Sequence, residues 1–419
     1  MHQPDHFLRM GSPHQELEGA GIDPALLRKD IEPWLSAVLQ SDHLSLLIGS
    51  GLPIAVSAIA GVRPALMTPV VFTAPEAAQV DAWAHTLAER SGRGAPNMED
   101  QLKAALQLLG GMEVLGDDRA RAWAGEVERA ITVFTQTVLE MERGIAEAID
   151  SGSDGGLLAS AHLVSFLLTF ASRPASRERL HVFTTNYDRL LEFGCDLSGI
   201  RILDRFVGTI EPRFHASRLD IDLHYNPPGI RSEPRYLEGV VRLTKLHGSL
   251  DWVSDARGIK RVPLQFGTLE NGQFAGRSLM IYPNPAKDVE TLEYPYAELF
   301  RDLAAALCRP NSALITYGYG FGDDHINRIL RDMLTLPSTH LVIVAYSDES
   351  HRISEFFTAV RREQQVSLMV GPRFGALDEL VENYLPKPTL EPLIVRRAEI
   401  VRRTADARVA ESQGDGGPI

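Results

Sequence analysis

The sequence predicts an α/β protein in which an open parallel sheet is enlarged by a long helical insertion. Short apolar runs alternate with helical patterns over most of the chain, which is typical of parallel strands joined by helices. Between the first two of these runs, residues 74–171 show a helical pattern almost throughout. With 419 residues the chain is also long for one compact core, so more than one domain is expected.

The first predicted strand comes early in the chain. Residues 1–43 are interpreted as a polar leader followed by a helix with an apolar stripe. Residues 44–48 form an apolar run that the turn Gly49-Ser50-Gly51 closes, as expected for a buried strand. A helix is predicted directly after the turn, because Pro53 suits the first turn of a helix.

Two long helices dominate the insertion. Residues 126–149 carry apolar side chains at helical spacing, which predicts one amphipathic helix. The glycine-rich residues 151–156 end it, and a second helix is predicted over residues 157–171. We expect this module to pack beside the sheet. The apolar stripe of the first helix consists of Val127, Ile131, Phe134, Val138, Met141, Ile145 and Ile149.

The later apolar runs predict the rest of the sheet. Predicted strands cover residues 180–183, 240–246, 279–282, 313–317, 341–345 and 366–370, and predicted helices cover residues 188–193, 296–307, 326–336 and 350–363. Residues 205–239 are expected to be irregular and to cover the site. The predicted domains are a helical leader (1–43), a sheet domain (44–73 and 172–385), the helical insertion (74–171) and a C-terminal tail (386–419).

The composition excludes several classes of protein. A formal net charge of −13, from 42 basic and 55 acidic residues, repels the phosphate backbone of nucleic acids. Two cysteines, Cys195 and Cys308, cannot make a disulfide framework or a cysteine-based zinc site. No signal peptide is visible, and the longest weakly polar stretch, residues 55–72, is broken by Arg63 and two prolines. We expect a cytoplasmic protein that binds neither nucleic acid nor membranes.

The stretch Thr-Thr-Asn-Tyr-Asp at residues 184–188 directly follows a predicted strand. Asparagine and aspartate are disfavoured in strands, and open α/β sheets bind ligands at the carboxyl ends of their strands. Asn186 and Asp188 are therefore candidate ligand-binding residues. The alternative is local, with Asn186 as the cap of a short helix over residues 188–193 that Gly194 ends.

The turn at residues 49–51 is a second candidate site. Glycines let a backbone approach a ligand closely, and the N-terminus of the following helix can bind phosphate. The full dinucleotide-binding fingerprint is absent, because Ile54 stands where its last glycine belongs. A plain turn between strand and helix explains the same residues equally well.

Two further segments follow predicted strands. His247, in Leu-His-Gly-Ser at residues 246–249, suits a general base, although a histidine bonded within a turn is the alternative. In the glycine loop that begins at residue 318, Asp323 is predicted to cap the next helix. The carboxylates at this helix start favour contacts to ribose, or ordering of the loop, over phosphate binding. His325 and Asn327 are interpreted as structural.

In this order, the four motifs resemble the bacterial Sir2-like family. The glycine turn and Thr-Thr-Asn-Tyr-Asp come first, followed by Leu-His-Gly-Ser and by Gly-Tyr-Gly-Phe-Gly-Asp-Asp-His-Ile at residues 318–326. The resemblance extends over residues 44–350, most of the chain. It implies a Rossmann-like sheet with a sirtuin-like NAD-binding core.

The resemblance also implies a role for each matching residue. Asn186 and His247 correspond to the catalytic pair, with Asn186 next to the nicotinamide ribose. Asp188 corresponds to the aspartate near the carboxamide. Residues 346–348, at a later strand end, are expected near adenine. The other residues assigned to NAD are Gly49, Ser50 and Gly51 at the phosphates, and Gly318 and Tyr319 at the adenosine-side ribose.

Two departures separate the chain from the sirtuin deacylases that it resembles. Pro53 stands where those enzymes have a serine, and two cysteines cannot form their four-cysteine zinc module. The large helical insertion is instead similar to that of the Sir2-like effectors of anti-phage defence, which hydrolyse NAD. Length and layout are similar to the Sir2 partner of a HerA-type ATPase, which makes such an ATPase a candidate partner.

These observations predict an NAD⁺ glycohydrolase that releases nicotinamide and ADP-ribose without a metal. Asn186 is expected to orient the ribose and a water, and His247 to accept the proton. Two alternatives stay open, namely an NAD-dependent protein deacylase and a sensor that binds NAD or ADP-ribose without turnover. Because a free-running NADase would harm its own cell, we expect gating and a homo-oligomer. The amphipathic helices offer a surface for self-association, unless they pack within the subunit.

Overall fold

The computed structural model describes residues 6–11, 15–17, 22–90, 95–217, 222–225, 235–268, 278–280 and 294–387. In chain order, its strands are β1 His6–Arg9, β2 Gln15–Leu17, β3 His43–Ile48, β4 His181–Thr184, β5 Arg201–Leu203, β6 Phe206–Val207, β7 Arg213–Phe214, β8 His224–Tyr225, β9 Arg235–Tyr236, β10 Val240–Lys245, β11 Gly248–Asp255, β12 Gly258–Arg261, β13 Ser278–Met280, β14 Ser312–Tyr317, β15 His340–Ala345 and β16 Val366–Val370.

Helices connect most of the long strands. They are α1 Pro24–Leu39, α2 Gly51–Ala60, α3 Ala77–Arg90, α4 Met98–Leu115, α5 Ala120–Asp150, α6 Asp154–Ala171, α7 Leu190–Ser198, α8 Tyr296–Leu307, α9 Asp324–Met333, α10 Arg352–Val360, α11 Pro372–Gly375 and α12 Leu377–Glu379, and a π-helical turn follows at Leu380–Tyr384.

Nine of the described strands form one sheet in the order β2-β1-β16-β15-β14-β3-β4-β10-β5. Every neighbouring pair from β16 to β5 is parallel, and β1 and β2 run antiparallel at one edge. The central strands are buried along nearly their whole length, because helices cover both faces of a parallel sheet. The predicted α/β class with a parallel sheet is confirmed.

Four central strands end at the same edge of this sheet. Tyr317 of β14 pairs with Ile48 of β3, Ile48 pairs with Thr184 of β4, and Thr184 pairs with Lys245 of β10. The segments that follow these strands therefore leave the sheet side by side. They are the four segments that the sequence singles out as candidate ligand-binding motifs.

A second, antiparallel sheet has the order β13-β11-β12-β7-β6, and β8 pairs with β9 as a separate hairpin. The strand predicted over residues 279–282 belongs to this smaller sheet rather than to the parallel one, and residues 281–282 lie outside the described residues. Residues 205–239 were predicted to be irregular, and that prediction is wrong where they are described, because they contain β6 to β9.

The helical insertion packs within the subunit through α5 and α6, and Phe166 of α6 contacts Tyr317 of the sheet. In α5, six of the seven predicted stripe residues are buried and Ile131 is partly buried, so the stripe packs within the subunit rather than forming an association surface. Of the described helices, α6 alone is long and apolar enough to cross a membrane, but 61% of it is buried inside the protein. It contacts α2, α5 and α7, as a core helix does.

Two local predictions differ from the structure. The predicted helix over residues 188–193 instead spans Leu190–Ser198 and ends at Gly199, which has φ +71°. Gly194 lies inside this helix and does not end it. Glycine is needed there for close packing against α6, because a Cβ would come 2.6 Å from Leu167 Cδ1. Within the predicted leader, residues 6–9 form β1 and extend the parallel sheet at its edge.

Candidate active site

A pocket of about 370 Å³ opens at the carboxyl edge of the parallel sheet. Most of its polar side comes from the segments after β3, β4, β10 and β14, and Glu99 of α4 and Arg352 of α10 add two charged groups. Its apolar side comes from α2, the loop after it and α5. A volume in this range suits a small organic ligand. Of the residues predicted to bind or act on NAD, those that line the pocket are Gly49, Ser50, Asn186, Asp188, His247 and Tyr319.

Asn186 is held in place by two hydrogen bonds. Its backbone N–H donates to Thr184 Oγ1 (3.0 Å), and its side-chain Nδ2 donates to the carbonyl oxygen of Gly49 (2.9 Å). Because that carbonyl can only accept, the amide orientation is fixed and its oxygen is the atom left to meet a hydroxyl group or water. The alternative that Asn186 caps the following helix is wrong, since the cap position is Arg189.

Asp188 is buried beside the same segment. Its Oδ1 accepts a hydrogen bond from the backbone N–H of Leu190 (3.0 Å), which orders the start of α7. Burial raises the pKa of the Asp188 carboxyl, while the nearby Lys245 ammonium opposes that rise. Lys245 is itself buried and donates hydrogen bonds to the backbone oxygen of Asp188 and to Glu192. Asp188 is thus held at the pocket by contacts from α7 and β10.

His247 is paired with an acidic residue across the pocket edge. Its Nε2 donates a hydrogen bond to Asp323 Oδ2 (2.9 Å), and both side chains are less than 10% exposed. The other carboxylate oxygen of Asp323 accepts from the backbone N–H groups of His325 and Ile326, so Asp323 caps α9 as predicted. Because Nε2 faces a carboxylate, Nδ1 is the nitrogen that can take up a proton.

The glycines that were assigned to the NAD phosphates, Gly49 and Gly51, pack the turn after β3 against the loop after β14. A Cβ on Gly51 would lie 2.5 Å from Gly318 Cα, and a Cβ on Gly49 would lie 2.4 Å from Gly318 O. The Gly51 N–H donates to the Gly318 carbonyl (3.1 Å), and Gly318 has φ +59°. Gly51 and Gly318 do not line the pocket. Close packing of the two backbones explains why both positions are glycine. Their predicted contact with NAD stays a prediction.

The loop after β14 is ordered by buried side chains. The Tyr319 hydroxyl donates to Asn327 Oδ1 (3.1 Å), and Asn327 Nδ2 donates to the Phe321 carbonyl (2.9 Å). Burial raises the pKa of the Tyr319 hydroxyl well above its usual range. Asn327 is therefore structural, as predicted. None of the described residues in 205–239 or 346–348 lines the pocket. The predicted cover is therefore not found among them, and the adenine contact of residues 346–348 stays a prediction.

The helical insertion forms part of the pocket wall. Phe134, Val138 and Met141 of α5 line it, and the Phe134 ring meets the Tyr187 ring edge-on, with centroids 5.8 Å apart. The sequence predicted packing beside the sheet but gave no reason to place these side chains at the ligand. The pocket is consequently shared between the sheet and the insertion.

A buried ion pair joins the same helix to the site. Glu142 of α5 accepts hydrogen bonds from the backbone N–H of Arg189 (2.6 Å) and from its Nε (3.2 Å), and the Glu142 side chain has no exposed area. Arg189 Nη1 also donates to the Leu264 carbonyl (2.9 Å). Arg189 directly follows Asp188, so α5 holds the backbone next to a predicted ligand-binding residue.

The sequence did not predict four features of the site. They are the hydrogen bond from His247 to Asp323, the part of the pocket wall formed by α5, the ion pair of Glu142 and the position of Arg352 in the lining. One signal was available, because Glu142 is a charged residue four positions after Val138 on the apolar stripe. Among the described residues, no group of three or more histidine, cysteine, aspartate or glutamate side chains is placed to hold a metal ion.

Comparison with known protein families finds one similarity, over the middle and later part of the chain. Residues 180–366 match the SIR2-like domain. No curated protein matches the chain. The matched residues run from the start of β4 to the start of β16 and include Asn186, Asp188, His247 and Tyr319. SIR2-like domains bind NAD⁺, so the match supports an NAD-related activity and is compatible with an NAD-dependent enzyme.

Proposed function

We propose that this chain is an NAD⁺ glycohydrolase, which converts NAD⁺ and water to nicotinamide and ADP-ribose. The observation that carries the proposal is that the buried side chains of Asn186 and of the His247–Asp323 pair line the same pocket. These residues supply an oriented amide and a base with a fixed tautomer. The SIR2-like domain around them supports NAD⁺ as the substrate.

The reaction replaces one bond at C1′ of the nicotinamide ribose by another. The bond from C1′ to the pyridinium nitrogen breaks, and its electron pair stays on nicotinamide, which becomes neutral. The oxygen of a water bonds to C1′, and a proton of that water passes to His247. Asn186 would orient the ribose and the water through its amide oxygen, and Asp323 would stabilise the protonated imidazole.

The charge of the pocket suits this chemistry. Breaking the bond makes the ribose ring oxocarbenium-like and positively charged, and carboxylates placed nearby stabilise such a charge. Asp188, Asp323 and Glu99 all line the pocket. We propose no metal in the reaction, since the pyridinium leaving group is already activated by its own charge.

The test measures nicotinamide released from NAD⁺ by the full chain, alone and with candidate partners. Asn186→Ala and His247→Ala are each expected to lower the rate by roughly 10²–10⁴-fold, the usual contribution of a placed general base or orienting group. His85→Ala is the matched control, because His85 is exposed on α3 and does not line the pocket. No release under any condition, or undiminished release by Asn186→Ala, would contradict the proposal.

The same assay separates the alternative functions. A deacylase would release acetyl-ADP-ribose only when an acyl-lysine peptide is added, whereas a glycohydrolase gives ADP-ribose without the peptide. A sensor would bind NAD⁺ and leave it intact, which a rise in melting temperature without nicotinamide release would show.

We further propose a cytoplasmic, gated homo-oligomer that depletes NAD⁺ in anti-phage defence, with a HerA-type ATPase as a candidate partner. This wider role is supported by the layout of the chain, in which a large helical insertion packs beside the residues that match the SIR2-like domain. Light scattering measures the mass of the assembly against the 46.2 kDa chain. A monomer with full activity and no response to added ATPase would refute this wider role.

A further inference from the structure

The charge of the pocket is unfavourable for an anionic ligand. Three carboxylates line it, from Glu99, Asp188 and Asp323. Of the described residues in the lining, Arg352 is the only lysine or arginine. NAD⁺ and ADP-ribose each carry a pyrophosphate, whose negative charges need a nearby positive group when they leave water. The position of Arg352 therefore decides where a pyrophosphate can lie.

The glycine turn after β3 offers few backbone donors for a phosphate. The N–H of Gly51 donates to Gly318, the N–H of Leu52 donates to Gly49, and Pro53 has no N–H. The N-terminus of α2 retains its helix dipole and the exposed Ser50, but three consecutive positions give no amide to a ligand. The turn therefore offers an anion at most the N–H and hydroxyl of Ser50, and an anion in this pocket needs further donors from another element.

Arg352 is placed to supply them. It is the first residue of α10, and its guanidinium lies so close to the loop after β14 that a Cβ on Gly322 would come 2.7 Å from its Nη1. Glycine at position 322 thus leaves the room that the guanidinium occupies at the pocket. A guanidinium presents several N–H donors in a plane, which suits phosphate oxygens.

The elements on both sides of Arg352 are held in position. The Asp348 carboxylate caps α10 by accepting from the backbone N–H groups of Ile353 (3.0 Å) and Ser354 (2.9 Å). Phe321, in the opposing loop, packs against Phe356 of α10, with ring centroids 4.8 Å apart. The start of α10, which carries Arg352, is consequently fixed relative to the loop that carries Asp323.

We propose that Arg352 forms the anion-binding subsite of this pocket and binds the pyrophosphate of the dinucleotide. The inference rests on the proposed function for the identity of the ligand. The subsite recognises phosphate groups and contributes to binding rather than to bond breakage. Its loss would therefore weaken the affinity for phosphate-bearing ligands and spare the reaction of a substrate that lacks phosphate.

The test titrates ADP-ribose into the full chain and its variants by calorimetry. Arg352→Gln is expected to raise the dissociation constant roughly 10- to 100-fold, the usual loss for hydrogen bonds to a charged group. Arg352→Lys should keep part of the affinity. Arg328→Gln on α9 is the matched control, because Arg328 is exposed and lies outside the pocket lining.

Kinetics provide a second measurement that a merely structural role would not reproduce. Arg352→Gln should raise KM for NAD⁺ by a similar factor with little change in kcat, and should hydrolyse nicotinamide riboside, which has no phosphate, as fast as wild type. Equal affinity of Arg352→Gln and wild type for ADP-ribose, or no binding by wild type, overturns the inference. If wild type binds ADP-ribose but leaves NAD⁺ intact, the proposed glycohydrolase is refuted. The difference in ADP-ribose affinity between wild type and Arg352→Gln then still decides whether Arg352 forms the subsite.

Discussion

At the scale of single residues, Asp323 has two tasks that the structure separates atom by atom. Its Oδ1 caps α9, and its Oδ2 accepts the hydrogen bond from His247. A cap needs only an acceptor oxygen, whereas a proton on His247 is stabilised by a negative charge. Replacing the carboxylate by an amide therefore preserves the first task and removes the second.

Asp323→Asn is expected to lower kcat for NAD⁺ hydrolysis roughly 10- to 100-fold, a fraction of a full general-base contribution. The melting temperature should stay near that of wild type, because asparagine also caps helices well. Asp324→Asn, at the exposed neighbouring position, is the matched control. Activity equal to that of wild type, with a normal pH profile, would show that His247 does not depend on Asp323.

At the scale of elements, α5 is the part of the insertion that reaches the site. It contributes Phe134, Val138 and Met141 to the pocket and Glu142 to the backbone beside Asp188. A carboxylate without exposed area costs free energy unless it is paired, and here Arg189 pairs with it. The ion pair therefore fixes α5 relative to the loop after β4, and breaking it should affect both stability and the site.

Glu142→Ala is expected to lower the free energy of unfolding by about 3–5 kcal/mol, because it leaves the Arg189 guanidinium buried without its partner. Urea denaturation measures this change. Glu140→Ala, two residues earlier on the exposed side of α5, should change stability by less than about 0.5 kcal/mol. A stability loss of that small size for Glu142→Ala would mean that the ion pair does not hold the two elements together.

The elements themselves were largely predictable, because buried parallel strands appear in the sequence as continuous apolar runs. The runs at β3, β4, β10 and β14 also implied that their following segments meet at one edge. The hydrogen bonds of the site could not be predicted, because they join residues that are far apart in the sequence. Asn186 bonds to Gly49, 137 positions away, and His247 bonds to Asp323, 76 positions away. Local rules instead favoured Asn186 as a helix cap.

At the scale of the whole molecule, the pocket is lined by residues inside and outside the span that matches the SIR2-like domain. The SIR2-like domain over residues 180–366 supplies Asn186 and His247, while β3 and α5 lie outside that match. The pocket is therefore incomplete without the turn after β3 and the helical insertion. A ligand in the pocket would contact both parts, so its binding should stabilise both.

Hydrogen exchange of the full chain with and without ADP-ribose measures that coupling. We expect slower exchange in the loop at residues 318–323 and also in residues 134–142 of α5, since ligand binding lowers the population of locally open states. Exchange in the outer helix α3, which does not line the pocket, should stay unchanged and serves as the internal control. Protection confined to residues 180–366 would show that α5 does not take part in binding.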